Sequence, residues 1–188
     1  MVYPKKLFCR NLKKFKSYNF EKDMMNMDLQ VLVATMNQDD HSLLDKMNIN
    51  SDAIIGNQCN RNEIEDFVYR NHKIKYLSFK ERGVGLNRNN ALMRATADIC
   101  LLADDDVILD DNYVNIVEKS FKENLEADII IYNLEASDNK IFTINKKIKI
   151  NFFNYMKFGA ARIAFRRSKI TRHGISFNLH FGGGAEYS

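Results

Sequence analysis

The sequence predicts an α/β fold of three layers, in which a mostly parallel central sheet is covered by helices on both faces. Three observations lead to this prediction. Short apolar runs alternate with segments of helical periodicity. The chain has 188 residues, the size of about one domain. It has one proline and eight glycines, so few positions interrupt the elements.

Short runs of apolar and β-branched residues predict the strands, because they have strand length and end at polar residues or glycine. These runs are 29–35, 51–58, 74–79, 98–103 and 127–134, with 159–170 as a further strand that has a basic end. The alternation weakens after residue 134, where 140–153 is interpreted as a hairpin or an excursion from the sheet.

Helices are predicted between the strands, where apolar residues recur at helical spacing. The predicted segments are 42–47, 86–96 and 112–124. A fourth is 63–72, in which Ile64, Phe67 and Val68 lie at positions i, i+3 and i+4 and Asn62 would be the N-cap.

Composition excludes several classes of protein. Hydrophobic residues make up 45% and charged residues 28% of the chain, which is typical of a folded domain. No apolar run approaches the roughly 18 residues of a membrane helix, and the first ten residues lack the apolar middle of a secretory signal. The net charge of +4 does not indicate nucleic-acid binding. Three cysteines without a C-x-x-C pair favour the cytoplasm, and four scattered histidines show no zinc spacing.

Residues 1–28 form a basic leader that precedes the domain predicted for 29–188. Between residues 5 and 22, seven basic residues alternate with leucines and phenylalanines. Two interpretations remain open. The leader is either a solvated segment that packs an aromatic face on the domain, or an amphipathic helix that contacts an anionic membrane surface from the cytoplasmic side.

In a parallel sheet, ligands bind outside the carboxyl ends of the strands, so the segments 35–40, 57–60, 80–89 and 104–106 are the candidates for a site. Gly83 and Gly85 do not form a dinucleotide fingerprint, because the third glycine is missing. They precede a helix N-terminus that favours anions, and Arg82 and Arg88 flank it and could bind a phosphate or a base edge.

Three consecutive carboxylates, Asp104, Asp105 and Asp106, follow an apolar strand. Two unit charges ~6 Å apart repel by about 3 kcal/mol at an effective dielectric of ~20, so a divalent cation would stabilise them. In an extended segment Asp104 and Asp106 point to one side and Asp105 to the other. We expect Asp104 and Asp106 to bind Mg²⁺ or Mn²⁺ together with substrate phosphates. Helix capping is disfavoured as their role, because Asp110 and Asp111 lie nearer the next helix.

These segments together resemble family 2 glycosyltransferases over residues 29–188. The resemblance is carried by LVATMN, GNQ, ERGVGLNRNNAL, ADICLLADDDVIL with its D-x-D, and FGGGAEYS. It implies a Rossmann-like nucleotide-diphospho-sugar transferase fold and a metal-dependent, inverting transfer from a nucleoside diphosphate sugar, with a UDP-sugar expected. It also implies a saccharide or lipid-linked acceptor and a role in polysaccharide biosynthesis.

The resemblance also assigns site residues. The nucleotide contacts that it implies are Thr35, Asn37, Asn57, Gln58, Arg88, Asp104 and Asp105. The metal ligands are Asp104 and Asp106, with Asp106 the better candidate for direct contact and Asp105 for the ribose hydroxyls.

The catalytic base has no match within the sequence. In the family, the loop similar to FGGGAEYS is followed by a Gly-Glu-Asp segment that supplies the base, whereas this chain ends at Ser188. Glu186 has the wrong register. We therefore expect the base just after Ser188, and expect residues 1–188 to bind nucleotide with metal but to transfer sugar poorly.

Two other interpretations are open. Residues 104–107 also match the D-x-D-x-V motif of haloacid-dehalogenase-type phosphatases, in which Asp104 would be the nucleophile and Asp106 the acid and base. Alternatively, the chain is a glycosyltransferase-like domain that binds nucleotide without turnover.

Overall fold

The computed structural model describes residues 27–134, 148–151, 153–154, 158–180 and 182. Its strands are β1 (Leu29–Met36), β2 (Asp52–Gln58), β3 (Glu63–Tyr69), β4 (His72–Phe79), β5 (Ile99–Asp104), β6 (Ile129–Ile131) and β7 (Ile163–Arg166). Its helices are α1 (Leu43–Lys46), α2 (Val84–Arg94), α3 (Tyr113–Glu123) and α4 (Arg167–Arg172), with a 3₁₀ turn at Ala160–Arg162.

The seven strands form one sheet in the order β3-β4-β2-β1-β5-β7-β6. Strands β1, β2, β4 and β5 pair in parallel, while β3 and β7 run in the opposite direction. Strand β6 is antiparallel to β7 and therefore has the direction of β5. Five of the seven strands thus share one direction, which confirms the predicted α/β sandwich with a mostly parallel sheet.

The central strands are buried on both faces because each face carries a hydrophobic core. One core contains alternate residues of β1 and β5, such as Val31 and Leu101, together with α1 and α3. The other contains the intervening residues, such as Leu32 and Leu102, together with α2 and α4. This explains why the central strands have continuous apolar sequences rather than alternating ones.

The helix predicted for residues 63–72 is wrong, because this segment is β3 and pairs with β4 in a hairpin. Phe67 packs against the core, whereas Ile64 and Val68 are 51% and 69% exposed, so the three do not share a buried stripe. Asn62 is not a helix cap. Its side-chain oxygen accepts a hydrogen bond from the Lys80 N–H, at 2.9 Å, at the open end of the hairpin.

The segment after residue 127 also differs from the prediction. The strand expected over 127–134 is the three-residue β6, and the one expected over 159–170 divides into the 3₁₀ turn, β7 and α4. Arg167 and Lys169 at its basic end therefore belong to α4, whereas Arg166 is the last residue of β7. Residues 1–26 of the leader at 1–28, most of the 140–153 segment and most of FGGGAEYS lie outside the described residues. In the described part of the chain, no helix has the length and apolar character needed to cross a bilayer.

Candidate nucleotide-sugar site

The candidate segments meet at one edge of the sheet. Strands β1, β2, β4 and β5 are parallel neighbours, so their carboxyl ends lie side by side. Ala34 of β1 is in register with Asp104 of β5, and Thr35 with Asn57 of β2. The polar residues that end these strands therefore form one surface, as the sequence predicts for ligand binding in this class of sheet.

Thr35 is buried and orients Asp105. Its hydroxyl donates a hydrogen bond of 2.5 Å to the Asp105 carboxylate, which comes from the loop after β5. The Gln38 side-chain amide donates to the Thr35 hydroxyl oxygen at 3.0 Å. Because the Thr35 proton is used on Asp105, this chain of hydrogen bonds fixes one carboxylate oxygen and leaves the other available in the described part of the chain.

Asn57 and Gln58 are turned into the protein. The Asn57 side chain exchanges two hydrogen bonds with the Gln38 main chain, at 2.9 and 3.1 Å, and is 1% exposed. The Gln58 side-chain oxygen accepts a hydrogen bond of 2.7 Å from Gly83 N–H at the start of α2. The two side-chain amides therefore stabilise the segment after β1 and the start of α2, which border the site. A direct contact of either side chain with a base stays a prediction.

Asn37 contributes its backbone conformation. Its φ of 54° is left-handed, a region that asparagine adopts more readily than most residues. Its N–H donates to the Gln58 carbonyl oxygen at 2.9 Å. This bond continues the pairing of β1 with β2 beyond the end of the strand.

Arg88 projects from α2 to the end of β5. Its Nη2 donates a hydrogen bond of 2.5 Å to Asp104 Oδ1 in an ion pair, and its side chain is 14% exposed. The guanidinium carbon also lies 5.7 Å from the centre of the Phe177 ring. The partial burial strengthens the ion pair relative to one in water. Arg88, for which a phosphate-binding role is predicted, thus also has a counterion within the protein, Asp104.

The carboxylate triplet forms a turn rather than an extended segment. Strand β5 ends at Asp104, and the Val107 N–H bonds to the Asp104 carbonyl oxygen at 3.1 Å. The expectation that Asp104 and Asp106 point to one side of an extended strand is therefore wrong. Asp106 lies at the exposed part of this turn, whereas Asp104 and Asp105 are half-buried and hydrogen-bonded.

The turn offers carboxylate oxygens of the kind that a hard divalent cation prefers, but the described residues do not supply a complete set of ligands. Asp104 and Asp105 each use one carboxylate oxygen internally, and among the described residues Asp106 makes no hydrogen bond or ion pair. Carboxylate oxygens are the ligands that Mg²⁺ and Mn²⁺ prefer. The described residues contain no group of three His, Cys, Asp or Glu side chains able to hold a metal. A cation here would need oxygens from a substrate, as in phosphate-bridged sites.

Residues that the sequence analysis did not single out complete the site. Gln38 links Thr35 to Asn57, and the Arg61 guanidinium donates to the Gln38 carbonyl oxygen at 3.2 Å. Phe177 reaches the site from a segment far along the sequence. The position of Gln38 just after β1 could have indicated that it belongs to the site. Arg61 and Phe177 lie in no local sequence pattern that indicates this.

A family model described as glycosyl transferase family 2 matches residues 41–184, which is more than half of the chain. The chain belongs to glycosyl transferase family 2. It contains a glycosyltransferase domain, and this membership favours the glycosyltransferase interpretation of Asp104–Asp106 over the phosphatase one.

Solved structures of the S. aureus protein TarS, residues 1–349, share the fold of this family 2 domain. The match to TarS alone has a TM-score of 0.59 at 16% identity and covers 81% of this chain and 50% of that one. TarS in complex with UDP-GlcNAc gives 0.57 at 16% identity, covering 84% and 51%. TarS with UDP gives 0.58 at 17% identity, covering 81% and 50%. The chain therefore spans about half the length of these TarS chains and has the nucleotide-diphospho-sugar transferase type of sandwich. A search of curated proteins finds no significant match to the sequence.

Proposed function

We propose that this domain binds a nucleoside diphosphate sugar, and specifically a UDP-sugar, at the carboxyl ends of β1 and β5, and transfers the sugar to an acceptor hydroxyl with inversion. The observation that carries this proposal is the convergence of Thr35, Arg88 and Asp104–Asp106 on one edge of the sheet in a family 2 domain. The UDP-GlcNAc and UDP complexes of the similarly folded TarS support the choice of uridine.

The charges of the site match those of a nucleoside diphosphate. Asp105, held by Thr35, presents its second oxygen as an acceptor for a ribose hydroxyl. Arg88 supplies a fixed positive charge next to the carboxylates, where a diphosphate would need one. Because Arg88 is paired with Asp104 before a donor arrives, it is held in place and loses little side-chain entropy on binding.

We assign the divalent cation, Mn²⁺ or Mg²⁺, to Asp106, with Asp104 as the second candidate ligand. When bound, the cation would supply positive charge for the diphosphate that leaves. Arg88 would act on the same negative charge from the side of α2 as a preorganised donor. The acceptor hydroxyl needs a carboxylate within ~2.6 to 3.2 Å to remove its proton, and we assign that role to no described residue.

Thermal unfolding with UDP and GDP, each with and without Mn²⁺, tests the donor class and the metal. We expect UDP with Mn²⁺ to raise the Tm, because a ligand that binds only the folded state stabilises it. In Asp106→Ala the Mn²⁺-dependent part of the rise should be lost, with UDP binding weakened by about tenfold in calorimetry. Asp66→Ala is the control, since Asp66 is exposed in the middle of β3 and, among the described residues, forms an ion pair only with Lys75.

Two results would contradict the proposal. One is a Tm that neither nucleotide changes with or without Mn²⁺, and the other is equal metal dependence in Asp106→Ala and wild type. Nucleotide binding without sugar transfer, in this chain and in any longer native form of it, would favour the non-catalytic interpretation instead.

A further inference from the structure

The segment that follows α4 lies along helix α2 and is attached to it by one asparagine side chain. Asn89 donates a hydrogen bond of 2.9 Å from its side-chain nitrogen to the Phe177 carbonyl oxygen. Its side-chain oxygen accepts one of 2.8 Å from the Phe177 N–H. Both main-chain polar groups of Phe177 are thus bound by one amide, 88 residues away in sequence. The Asn89 side chain thus makes with Phe177 the two hydrogen bonds that a neighbouring strand would make in a sheet.

Close contact with the helix backbone independently fixes the same segment. A Cβ placed on Gly85 would lie 2.0 Å from the carbonyl oxygen of Asn178. Only a glycine lets the segment lie this close to the first turn of α2. A Cβ on Gly182 would lie 2.6 Å from a Val84 side-chain carbon, so contact with α2 extends past Asn178.

The attached segment also contacts the candidate donor site. The Phe177 ring lies 5.7 Å from the Arg88 guanidinium carbon, within the range of cation–π contacts. The guanidinium also donates a hydrogen bond of 2.5 Å to Asp104. Arg88 therefore contacts both a carboxylate from β5 and an aromatic ring whose backbone is bound by Asn89.

We propose that Asn89 is a positioning residue, which holds Phe177 against Arg88 and so orients Arg88 toward Asp104 and a bound diphosphate. The link to the diphosphate rests on the proposed function, whereas the attachment of the segment does not. In this arrangement the segment at 175–180 and the donor site are connected through the Asn89 side chain. A change in the segment after α4 therefore weakens donor binding without altering the carboxylates of residues 104–106.

Hydrogen exchange tests the attachment alone. In Asn89→Ala, the Phe177 N–H loses its acceptor, so its exchange should become about tenfold faster. Alanine favours helix, so α2 itself is not expected to weaken. Gly85→Ala should give the same local acceleration, since the new Cβ displaces Asn178. Asn90→Ala is the matched control, because Asn90 is the next residue of α2 and contacts Glu81 and Arg94 instead. Unchanged exchange at Phe177 in Asn89→Ala would overturn the proposal.

Calorimetry with UDP and Mn²⁺ tests the link through Arg88. We expect Asn89→Ala and Phe177→Leu each to weaken UDP binding by about threefold to tenfold. Because both substitutions act on Arg88 through the Phe177 ring, the double variant should bind UDP as tightly as the single variant that binds it more weakly. A merely structural role would instead lower the Tm and give additive losses, which would overturn the positioning role. If wild type does not bind UDP, the proposed function fails while the exchange result still decides the attachment.

Discussion

At the scale of single residues, a close contact between a glycine of β2 and an asparagine of α2 determines how near the helix lies to the sheet. Gly56 of β2 faces the Asn87 side chain of α2, whose nitrogen donates to the Gly56 carbonyl oxygen at 2.7 Å. The Asn87 side-chain oxygen is buried and has no hydrogen-bond partner in the described part of the chain. The absence of a side chain at Gly56 lets α2 lie close to the sheet, and this brings Arg88 within reach of Asp104.

We expect Gly56→Ala to destabilise the fold by about 1–3 kcal/mol. The new Cβ would lie 2.0 Å from the Asn87 side-chain oxygen and 2.8 Å from its carboxamide carbon, so the whole amide must move. Urea unfolding measures the difference. Gly159→Ala is the control, because a Cβ there meets no atom of the described residues within 4 Å and the φ of −77° suits alanine. Equal effects of the two substitutions would contradict the close approach of α2.

At the scale of elements, the β3–β4 hairpin forms one border of the sheet and is attached to the loop after β1. His41 of that loop stacks on Phe67 of β3, with ring centres 4.5 Å apart, and lies 3.2 Å from the Glu65 carboxylate. This loop also contains Gln38, which contacts Thr35. The hairpin, whose first strand was predicted to be a helix, therefore supports the loop after β1 at the candidate site.

The hairpin turn gives a prediction at this scale. Arg70 and Asn71 have φ values of 49° and 67°, as in the two-residue turns that match strand twist. We expect Asn71→Val to destabilise the fold by about 1–2 kcal/mol, because left-handed backbone is costly for a branched residue. Asn71→Gly should be neutral or stabilising. Chemical unfolding measures both, with Lys73→Val in the neighbouring strand as the control. A tolerated valine at position 71 would argue against this turn.

At the scale of the whole molecule, the core contains ionisable groups that link stability to pH. Burial raises the pKa of Tyr76 to about 12 and the pKa of the Cys100 thiol to about 12. A buried phenol or thiol keeps its proton in the folded state, because the anion would lose its hydration. The unfolded chain releases these protons at lower pH, so alkaline solution favours unfolding.

The Tyr76 pKa gives a prediction with a definite sign. Between about pH 10 and about pH 12 the unfolded state binds fewer protons at Tyr76 than the folded state, so the free energy of unfolding falls as pH rises. Below about pH 10 this contribution is fully present. Tyr76→Phe removes the group, so between about pH 9 and about pH 11.5 the variant should lose less stability than wild type in urea unfolding. A parallel loss in both proteins would contradict the assignment to Tyr76.

The sequence by itself determined the sandwich and most of the residues of the candidate site. A continuous apolar run such as β5 buries its side chains fully only in the middle of a sheet that is covered on both faces. Parallel pairing of β1 with β5 then brings the carboxyl ends of the two strands together. The family motifs added Arg88 and the aspartate triplet, and the structure places both at that edge.

Only the tertiary structure decided the features that depend on contacts between distant segments. A short amphipathic run such as 63–69 has a similar pattern as helix or strand, and pairing with β4 decided it. The hydrogen bond of Thr35 to Asp105 and the contact of Phe177 with Arg88 likewise join residues that are 70 or more positions apart. Local sequence fixes backbone preference and hydrophobic period, whereas the partner of a polar side chain is set by which segments the fold brings together.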